Sequence, residues 1–462
     1  MNARFGLFLF ASCYVASCSL VPEYARPRVD APNAWTKDAP VVDAVAKNWP
    51  DDFGSDELRA LIARALKENL DLTAGTARVK QAQAALDAAN AALWPSLSVS
   101  ANASRAENRP ANGRSRTDET FNAAANLSYD IDAFGANRAG KAAARANVDK
   151  SRYAQDALAI TVGTQVASGY FTYLNAEERI AVTRNALANA TEALGVVKTR
   201  VDVGSEFDSA LAEQKTLVAG REAELAALEE QRDNAKNALA LLLGSPPSAI
   251  SLRARNTGGV TIPSVAALQP SELLERRPDL AASEAALKAA DANIGAARAA
   301  FFPSIDVGSA ASAALVGAGG PASTAMSLGA SVFAPIFTAG RLQAGVALSN
   351  AQKEELVAAY RQSVLRAFTE AEDALSAVKS AKTQEERYAE ARENARVAYR
   401  LAKKRYDAGA ADYQTLLSVQ KTLFDAENAL SRARLARLLG AVSLYKAMGG
   451  GWESSKKILR TE

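Results

Sequence analysis

The sequence has no histidine and only two cysteines, Cys13 and Cys18, among its 462 residues. Histidine is the usual general base and the commonest metal ligand, and a disulfide framework needs several cysteines. The chain also has no glycine-rich phosphate loop and no nucleophile elbow. Gly319-Gly320 and Gly449-Gly450-Gly451 lack the strand-to-helix context of such motifs, and we interpret them as turns. The composition therefore argues against an enzyme and predicts no cofactor and no metal site.

The first seventeen residues predict a lipoprotein signal peptide. Arg4 precedes an apolar run from Phe5 to Phe10, and small residues lead through Val15-Ala16-Ser17 to Cys18. This pattern is a lipobox, after which the cysteine is lipidated and becomes the mature N-terminus. The alternative is an ordinary signal peptide in which Cys18 is incidental. Cys13 is a poorer lipidation site, because the bulky Phe10 lies three residues before it.

Charge and hydropathy predict neither a nucleic-acid partner nor a membrane helix. The formal net charge of +3 is small for this length. Beyond the signal segment no apolar run approaches the roughly 20 residues of a transmembrane helix. If the mature chain spans a membrane, it must do so with β-strands.

The two halves of the chain resemble each other at an offset of about 205 to 208 residues. This offset is too long for a solenoid and indicates a duplicated domain. Three pairs of segments recur in the same order: 93–97 and 301–305, 200–204 and 405–409, and 214–217 and 420–423. The sequence therefore predicts an internal two-fold repeat.

Each half predicts one hairpin of β-strands. An alanine-rich helical stretch, 70–92 or 280–300, stops before Pro95 or Pro303. Apolar and polar residues then alternate in two runs that are separated by a loop. In the first half the runs are 97–104 and 121–130, around a loop of roughly 105–117. In the second half they are 304–311 and 325–334, around a loop containing Gly317 to Pro321. Strands of about nine or ten residues fit a tilted membrane strand. Soluble hairpins packed on helices are the alternative.

A proline-free helical stretch follows each hairpin, at about 137–203 and 341–408. As one helix, each stretch would be roughly 100 Å long. A turn at Gly204 or Gly409 leads into a returning helix, in which apolar residues recur at spacings of three and four: Leu225, Leu228, Ala235, Leu239 and Leu242 in 209–243, and Leu416, Val419, Leu423, Ala426, Leu430 and Ala433 in 412–447. This spacing predicts coiled-coil packing, with a soluble antiparallel bundle as the alternative.

Four membrane strands cannot close a barrel alone. An open sheet edge in hydrocarbon leaves unpaired backbone groups, each costing several kcal/mol. The smallest barrels have about eight strands, so two or more chains must share one. The strands are rich in Ala, Gly and Ser, which favours a water-filled lumen over a packed interior.

Five motifs stand in order along nearly the whole mature chain: Cys18 to Pro27, Glu275 to Leu280, Phe333 to Phe337 with Gly340-Arg341, Glu370 to Leu375, and Leu444 to Trp452. In this order they resemble the outer membrane factors of tripartite efflux systems, the TolC-like channels, and within them the NodT lipoprotein branch.

The resemblance implies an α+β membrane protein: a homotrimer with a 12-stranded β-barrel, four strands per protomer, continued by a long α-helical coiled-coil barrel. It implies a cell outer-membrane location, with diacylglycerol and an N-acyl chain on Cys18, and extension into the periplasm. The partners would be a periplasmic adaptor protein and an inner-membrane transporter of the resistance-nodulation-division class. The function would be passive export of small molecules such as drugs, selected at the pump.

The domain organisation expected from the repeats and the resemblance has six parts: a signal peptide 1–17, a lipidated extension and equatorial segment 18–57, a first efflux repeat 58–243, an equatorial linker 244–275, a second repeat 276–448 and a C-terminal equatorial segment 449–462. The segments outside the repeats predict a small mixed equatorial domain along the flank of the helices.

The resemblance implies a periplasmic gate at the two helical turns. Many relatives carry an aspartate after the second turn that forms a charged ring, but here Leu416-Leu417 is followed by Ser418. Thr415 lies one turn away on the same helix face. Asp208 and Tyr406 match family residues beside the two turns and predict a closing contact between the helical hairpins. Solvated tip residues are the alternative, and the first turn is about one residue shorter than the expected pattern.

Two other functions remain open at this point. A type I protein secretion duct shares the fold and exports proteins, although the lipobox and the Gly-Gly-Gly-Trp ending favour drug or metal efflux. A periplasmic structural coiled-coil lipoprotein would have no pore.

We predict that Cys18 carries the lipid. Its acyl chains would anchor the protein stably, because two or more chains together bind a bilayer far more tightly than one. Metabolic labelling with palmitate should mark the parent chain and a Cys13→Ser variant, and should be lost in Cys18→Ser. Label that persists in Cys18→Ser would refute the assignment.

Overall fold

The computed structural model describes residues 20–36, 48–109, 113, 115–264, 266–316 and 322–453. Within these residues the helices and strands are, in chain order, α1 Asp56–Glu68, α2 Leu70–Ala91, β1 Ser96–Asn108, β2 Arg116–Asp130, α3 Ala136–Asp202, α4 Asp208–Leu242, α5 Pro270–Arg276, α6 Pro278–Ala299, β3 Ser304–Val316, β4 Ala322–Phe333, α7 Arg341–Asp407 and α8 Tyr413–Ala447. Cys18 and the predicted loop at Gly317 to Pro321 lie outside the described residues.

The predicted helices are confirmed to within two residues at each end. They occur in pairs of equal length: α2 and α6 have 22 residues, α3 and α7 have 67, and α4 and α8 have 35. Gly204 and Gly409 follow the long helices at φ 73° and 71°, a left-handed conformation that ends a helix and suits glycine. None of the helices in the described residues is long and apolar enough to cross a membrane.

The two hairpins form one antiparallel sheet in the order β1-β2-β3-β4. The predicted hairpins are confirmed, but the strands have 13, 15, 13 and 12 residues and are longer than the predicted nine or ten. The ladder continues into the predicted first loop, where Arg105 pairs with Glu119 and their side chains lie 3.4 Å apart. Backbone hydrogen bonds extend the strands here regardless of side-chain polarity.

The described chain divides into two compact units. One unit contains the described residues up to Arg28, with Arg78–Arg152 and Ala282–Arg361, and so holds the sheet. The other contains Val29–Ala77, Tyr153–Ala281 and the described residues from Gln362 onward, and so holds both helical turns.

The second unit has an aromatic core. Phe53 is fully buried and its ring centroid lies 5.1 Å from that of Phe171, while Trp49 stacks on Tyr445 at 5.5 Å. The core joins residues near the chain start to α3, α4, α8 and the 250–260 segment. The described parts of the predicted equatorial segments contain helical turns, the start of α5, extended chain and a β-bridge residue at Ala267, and the small mixed domain stays a prediction. Two of these segments also pair with each other, since the Thr261 amide donates to the Phe53 carbonyl oxygen at 3.0 Å.

A buried arginine ties the second-repeat motif to the C-terminal end of α8. The Arg277 side chain is 9% exposed, pairs with Asp279 at 2.7 Å and with Glu370 at 2.8 Å, and donates to the carbonyl oxygen of Ala447, the last residue of α8, at 3.4 Å. Gly449 lies against this segment with φ 83°, and a Cβ built on it would meet the Arg276 carbonyl oxygen. Only glycine fits here, for lack of space and because of its backbone conformation.

We predict that Gly449→Ala lowers stability by about 1–3 kcal/mol, because it combines a left-handed backbone with a backbone clash. Gly220→Ala is the matched control, since Gly220 lies within α4 with open space around it. The control should gain about 0.5–1 kcal/mol from helix propensity. Thermal unfolding in detergent, followed by circular dichroism, measures both variants. An unchanged midpoint for Gly449→Ala would contradict the account.

Candidate functional site: an amphipathic sheet and a helical tip

The sheet has one apolar and one polar face. Directly paired residues in antiparallel strands point to the same side, so the register assigns every side chain to a face. One face carries large apolar side chains from all four strands: Leu97, Val99, Phe121, Leu127, Leu315, Met326, Leu328 and Val332. These side chains are 42–86% exposed in the single chain. An exposed apolar face of this size marks a surface that is covered by lipid or protein.

The opposite face carries mostly small neutral side chains, with the carboxylates Asp118, Asp130 and Asp306 near its two ends. Serines, asparagines and threonines alternate with alanine and glycine, and some bond across the strands. Ser96 and Ser128 hydroxyls lie 2.8 Å apart, and Ser104 and Thr120 hydroxyls 2.7 Å apart. Such a face is suited to contact with water.

Aromatic rings gather where the strands meet the helices. Trp94 precedes β1, Phe301 and Phe302 precede β3, and Phe337 follows β4, with exposed fractions of 40–87%. Phe134 follows β2, and its ring stacks on Phe302 with centroids 4.8 Å apart. Aromatic girdles of this kind border the apolar band of membrane barrels.

β1 and β4 are the two edges of this sheet. They present 13 and 12 residues whose outer backbone groups have no strand partner among the described residues. Long, open edges next to an apolar face favour pairing with another chain.

The helical tip comprises the turns 203–207 and 408–412 and the helix ends around them. A small apolar cluster holds the two helical hairpins together there: Val197, Ala210, Ala402, Tyr406, Tyr413 and Leu416. The rings of Tyr406 and Tyr413 pack with centroids 6.0 Å apart, and the Arg200 guanidinium lies 4.8 Å from the Tyr406 ring centroid.

A hydrogen-bonded chain crosses this cluster from α8 to α3. The Tyr413 hydroxyl donates to Gln214 Oε1, and Gln214 Nε2 donates to the Ala190 carbonyl oxygen at 2.5 Å. Gln214 is fully buried. Burial raises the pKa of the Tyr413 hydroxyl and also that of Tyr406, so both remain protonated at neutral pH. The Tyr406 hydroxyl is buried without a hydrogen-bond partner among the described residues.

The structure separates the four predicted gate residues. Tyr406 lies in the contact between the hairpins, where its ring is 8% exposed. Asp208 is exposed at the first residue of α4, and Thr415 and Ser418 are exposed on α8. Asp412 caps α8 by accepting a hydrogen bond from the Thr415 amide at 2.7 Å, which holds the pKa of its carboxyl below the usual range. The described residues contain no group of three or more potential metal ligands.

The profile of the outer membrane efflux proteins matches residues 61–245 and 269–450, most of the chain. The chain belongs to the outer membrane efflux protein family. The members of this family are channels and not enzymes, and they lie in the outer membrane.

Similar proteins agree with this assignment over nearly the whole chain. The chain is 36% identical to the pyoverdine export outer membrane protein OpmQ of Pseudomonas aeruginosa, covering 98% of each protein. It is 30% identical to the probable outer membrane lipoprotein SilC of Salmonella typhimurium, covering 96% of this chain and 97% of SilC. The crystal structure of CusC matches with a TM-score of 0.82 at 30% identity, covering 94% of this chain and all of that one.

Two groups of residues were missed by the sequence analysis. The aromatic residues at the strand bases were visible in the repeated segments 93–97 and 301–305, but their position at the border of the apolar face needed the sheet register. Gln214 begins the repeated segment 214–217, but the repeat does not indicate its burial or its bond to Tyr413, since a glutamine in a helix is ordinarily solvent-exposed.

We predict that Tyr413→Phe loosens the tip of this efflux protein and that Tyr406→Phe does not. Removing the Tyr413 hydroxyl leaves the buried Gln214 oxygen unsatisfied, which costs about 1–3 kcal/mol. Removing the unpartnered Tyr406 hydroxyl should be neutral or stabilising. Hydrogen-deuterium exchange of the first turns of α8 should become roughly tenfold faster in the first variant only. Equal exchange in the two variants would contradict the role of Gln214.

Proposed function

We propose that this chain is the outer-membrane exit duct of a tripartite efflux pump for small molecules. The observation that carries the proposal is the sheet, with its exposed apolar face, its polar face and two long open edges. Family membership supports the same function. We expect the duct to be passive, because the sequence has no glycine-rich phosphate loop that could couple transport to nucleotide hydrolysis.

The proposed assembly is a homotrimer with a 12-stranded barrel. Pairing β4 of one copy with β1 of the next satisfies both open edges, and three copies of four strands close a ring. Strands of 12–15 residues extend about 40–50 Å, enough to cross hydrocarbon at a tilt of about 45°. The apolar face then meets lipid and the polar face lines the lumen.

The paired helices support the proposed duplication, with repeats at 58–243 and 276–448 as the sequence predicts. In the trimer the long helices would form a coiled-coil barrel reaching into the periplasm. A periplasmic adaptor and an inner-membrane transporter of the resistance-nodulation-division class would dock there. The lipid on Cys18 would anchor each copy, which the similarity to SilC, a probable outer membrane lipoprotein, supports.

We predict that deleting the gene for this chain sensitises cells to small toxic compounds. The broad chemical range of the relatives' names, from pyoverdine to cations, supports a panel that includes siderophores, metals, antibiotics and solvents. Minimal inhibitory concentrations should fall several-fold for some compounds and recover on complementation, while bulk protein secretion stays normal.

Two outcomes would favour the other functions. Unchanged susceptibility together with loss of one secreted protein would indicate a type I secretion duct. A chain that leaves outer membranes as a monomer, without a heat-resistant trimer, would indicate a structural lipoprotein.

The proposed gate has a neutral ring in place of a charged one. Thr415 and Ser418 lie one helical turn apart on the exposed side of α8, and both bear neutral hydroxyls. In a trimer, one inward carboxylate per chain would place three like charges around a narrow axis and attract multivalent cations. This chain lacks such a charge at position 418.

We predict that Ser418→Asp strengthens block by a trivalent cation complex from the periplasmic side, lowering the blocking concentration by about tenfold or more, since three charges act on one ion. Ser418→Asn is the neutral control and should behave like the parent. Planar-bilayer recordings with a titrated trivalent complex measure the block. Equal block in all three proteins would mean that position 418 faces away from the lumen, or that Glu206, Asp208 or Asp412 already supplies the ring.

A further inference from the structure

The strap, residues 20–28, lies along α6 in the unit that holds the sheet. Three of its residues meet three residues of that helix. Val21 packs against Gly295, the Tyr24 ring lies 4.9 Å from Lys288 Nζ, and Arg26 pairs with Glu284 at 2.7 Å. These contacts run in opposite directions along the two segments, so the strap is antiparallel to α6.

The spacing of the contacts fits an extended chain on a helix. Val21 and Tyr24 are separated by about 10 Å at 3.3 Å per extended residue. Their partners Gly295 and Lys288 are separated by about 10 Å at 1.5 Å per helical residue. The next step, from Tyr24 to Arg26, gives about 6 or 7 Å on the strap and 6 Å on the helix. The strap therefore follows the helix in register.

Gly295 admits the strap by having no side chain. A Cβ at this position would lie 2.5 Å from Val21 Cγ2 and 2.8 Å from Val21 Cα. Such distances are far below van der Waals contact, and the second atom belongs to the backbone. Any other residue at position 295 would push the strap away from α6.

A carboxylate forms the other end of the site. Glu284 is only 12% exposed, and it accepts a hydrogen bond from the Tyr360 hydroxyl of α7 at 3.3 Å besides its pair with Arg26. A buried carboxylate with a directed partner is a specific acceptor for arginine. Tyr360 itself is 1% exposed, so it holds Glu284 in place.

The first half of the chain has the same helix crossing without this site. α2 and α6 correspond at an offset of 208 residues, and α3 and α7 at 205. At these offsets Glu284 corresponds to Thr76 and Tyr360 to Gln155, and the Gln155 side chain donates to the Thr76 hydroxyl at 2.8 Å. Gly295 corresponds to Asp87. Both halves therefore have this contact between two helices. Only the second half has the carboxylate of Glu284 and the space left by Gly295.

We infer that Gly295, Lys288 and Glu284 on α6, with Tyr360, form a specific binding site for the chain's own N-terminal strap. The site binds the strap in one orientation only. Val21 lies near the C-terminal end of α6, the end that precedes β3. The site therefore holds the start of the strap beside the base of the sheet. A lipid on Cys18 would be tethered to this end of the strap, a consequence that rests on the proposed lipidation, while the site itself does not.

The test uses the mature chain with Cys18→Ser, exported behind an ordinary signal peptide, so that lipid cannot hold the strap. A spin label at Ala25→Cys, an exposed strap position, reports the mobility of the strap by electron paramagnetic resonance in detergent. The variants are Gly295→Leu, Arg26→Glu, Glu284→Arg and the double exchange Arg26→Glu/Glu284→Arg. Gly345→Leu is the matched control, because Gly345 on α7 has open space around it.

We expect an immobilised label in the parent and in Gly345→Leu. The mobile spectral component should become the major one in Gly295→Leu and in both single charge reversals, and should fall back in the double exchange. The charge variants decide the question if Gly295→Leu fails to fold. An immobilised label in every variant, or a double exchange as mobile as the single reversals, would overturn the inference. The mobility of the spin label does not depend on export activity, so this experiment tests the strap site separately from the proposed efflux function.

Discussion

Backbone groups along the edge of a β-sheet find no hydrogen-bond partner in hydrocarbon, where each unpaired group costs several kcal/mol. This sheet has two such edges, β1 and β4, of 13 and 12 residues, and its apolar face is exposed in the single chain. Burying the face in lipid without pairing the edges would be strongly unfavourable. Sharing one closed barrel among identical copies meets both needs together, so the proposed trimer is a condition of membrane insertion and not a later addition.

The helices show how a duplicated chain keeps one geometry while its halves diverge. The offset between the halves is 208 residues up to the start of β3 and 205 from α7 onward. The net difference of three residues arises between β1 or β3 and the long helix: in the second half the hairpin loop is two residues shorter, the strand is three shorter and the connection to the helix is two longer. The lengths of α2, α3 and α4 are kept in α6, α7 and α8, because a shortened helix would lose its register with its neighbours, whereas α1 has 13 residues and α5 has 7. The halves differ instead in their side chains. Thr76 and Gln155 of the first half correspond to Glu284 and Tyr360 of the second, and only the second pair contributes to the site that holds the strap.

Helix bounds could be predicted from sequence because prolines and glycines end helices locally, as at Pro95 and Gly204. The strand lengths were underestimated, because polar pairs such as Arg105 and Glu119 continue the backbone ladder beyond the alternating apolar and polar residues. The contact between Tyr413 and Gln214 at the helical tip could not be predicted from the internal repeat. The segments beginning at Gln214 and Gln420 match at an offset of 206, whereas their helices correspond at 205. A shift of one residue rotates a side chain by about 100°. Gln214 is consequently buried, while Gln420 is partly exposed.

The polar face of the sheet bears mostly small neutral groups, which exchange hydrogen bonds with almost any polar solute and discriminate little between solutes. In the proposed duct such a wall would discriminate little between solutes, so we expect selection at the pump and closure at another point of the duct. At the tip the two hairpins are joined by Tyr406, Tyr413 and Gln214, which are buried and neutral. Contacts of this kind are hardly screened by salt, unlike exposed ion pairs. If this contact closes the proposed duct, closure depends on packing, and opening it requires a partner that supplies mechanical or binding energy.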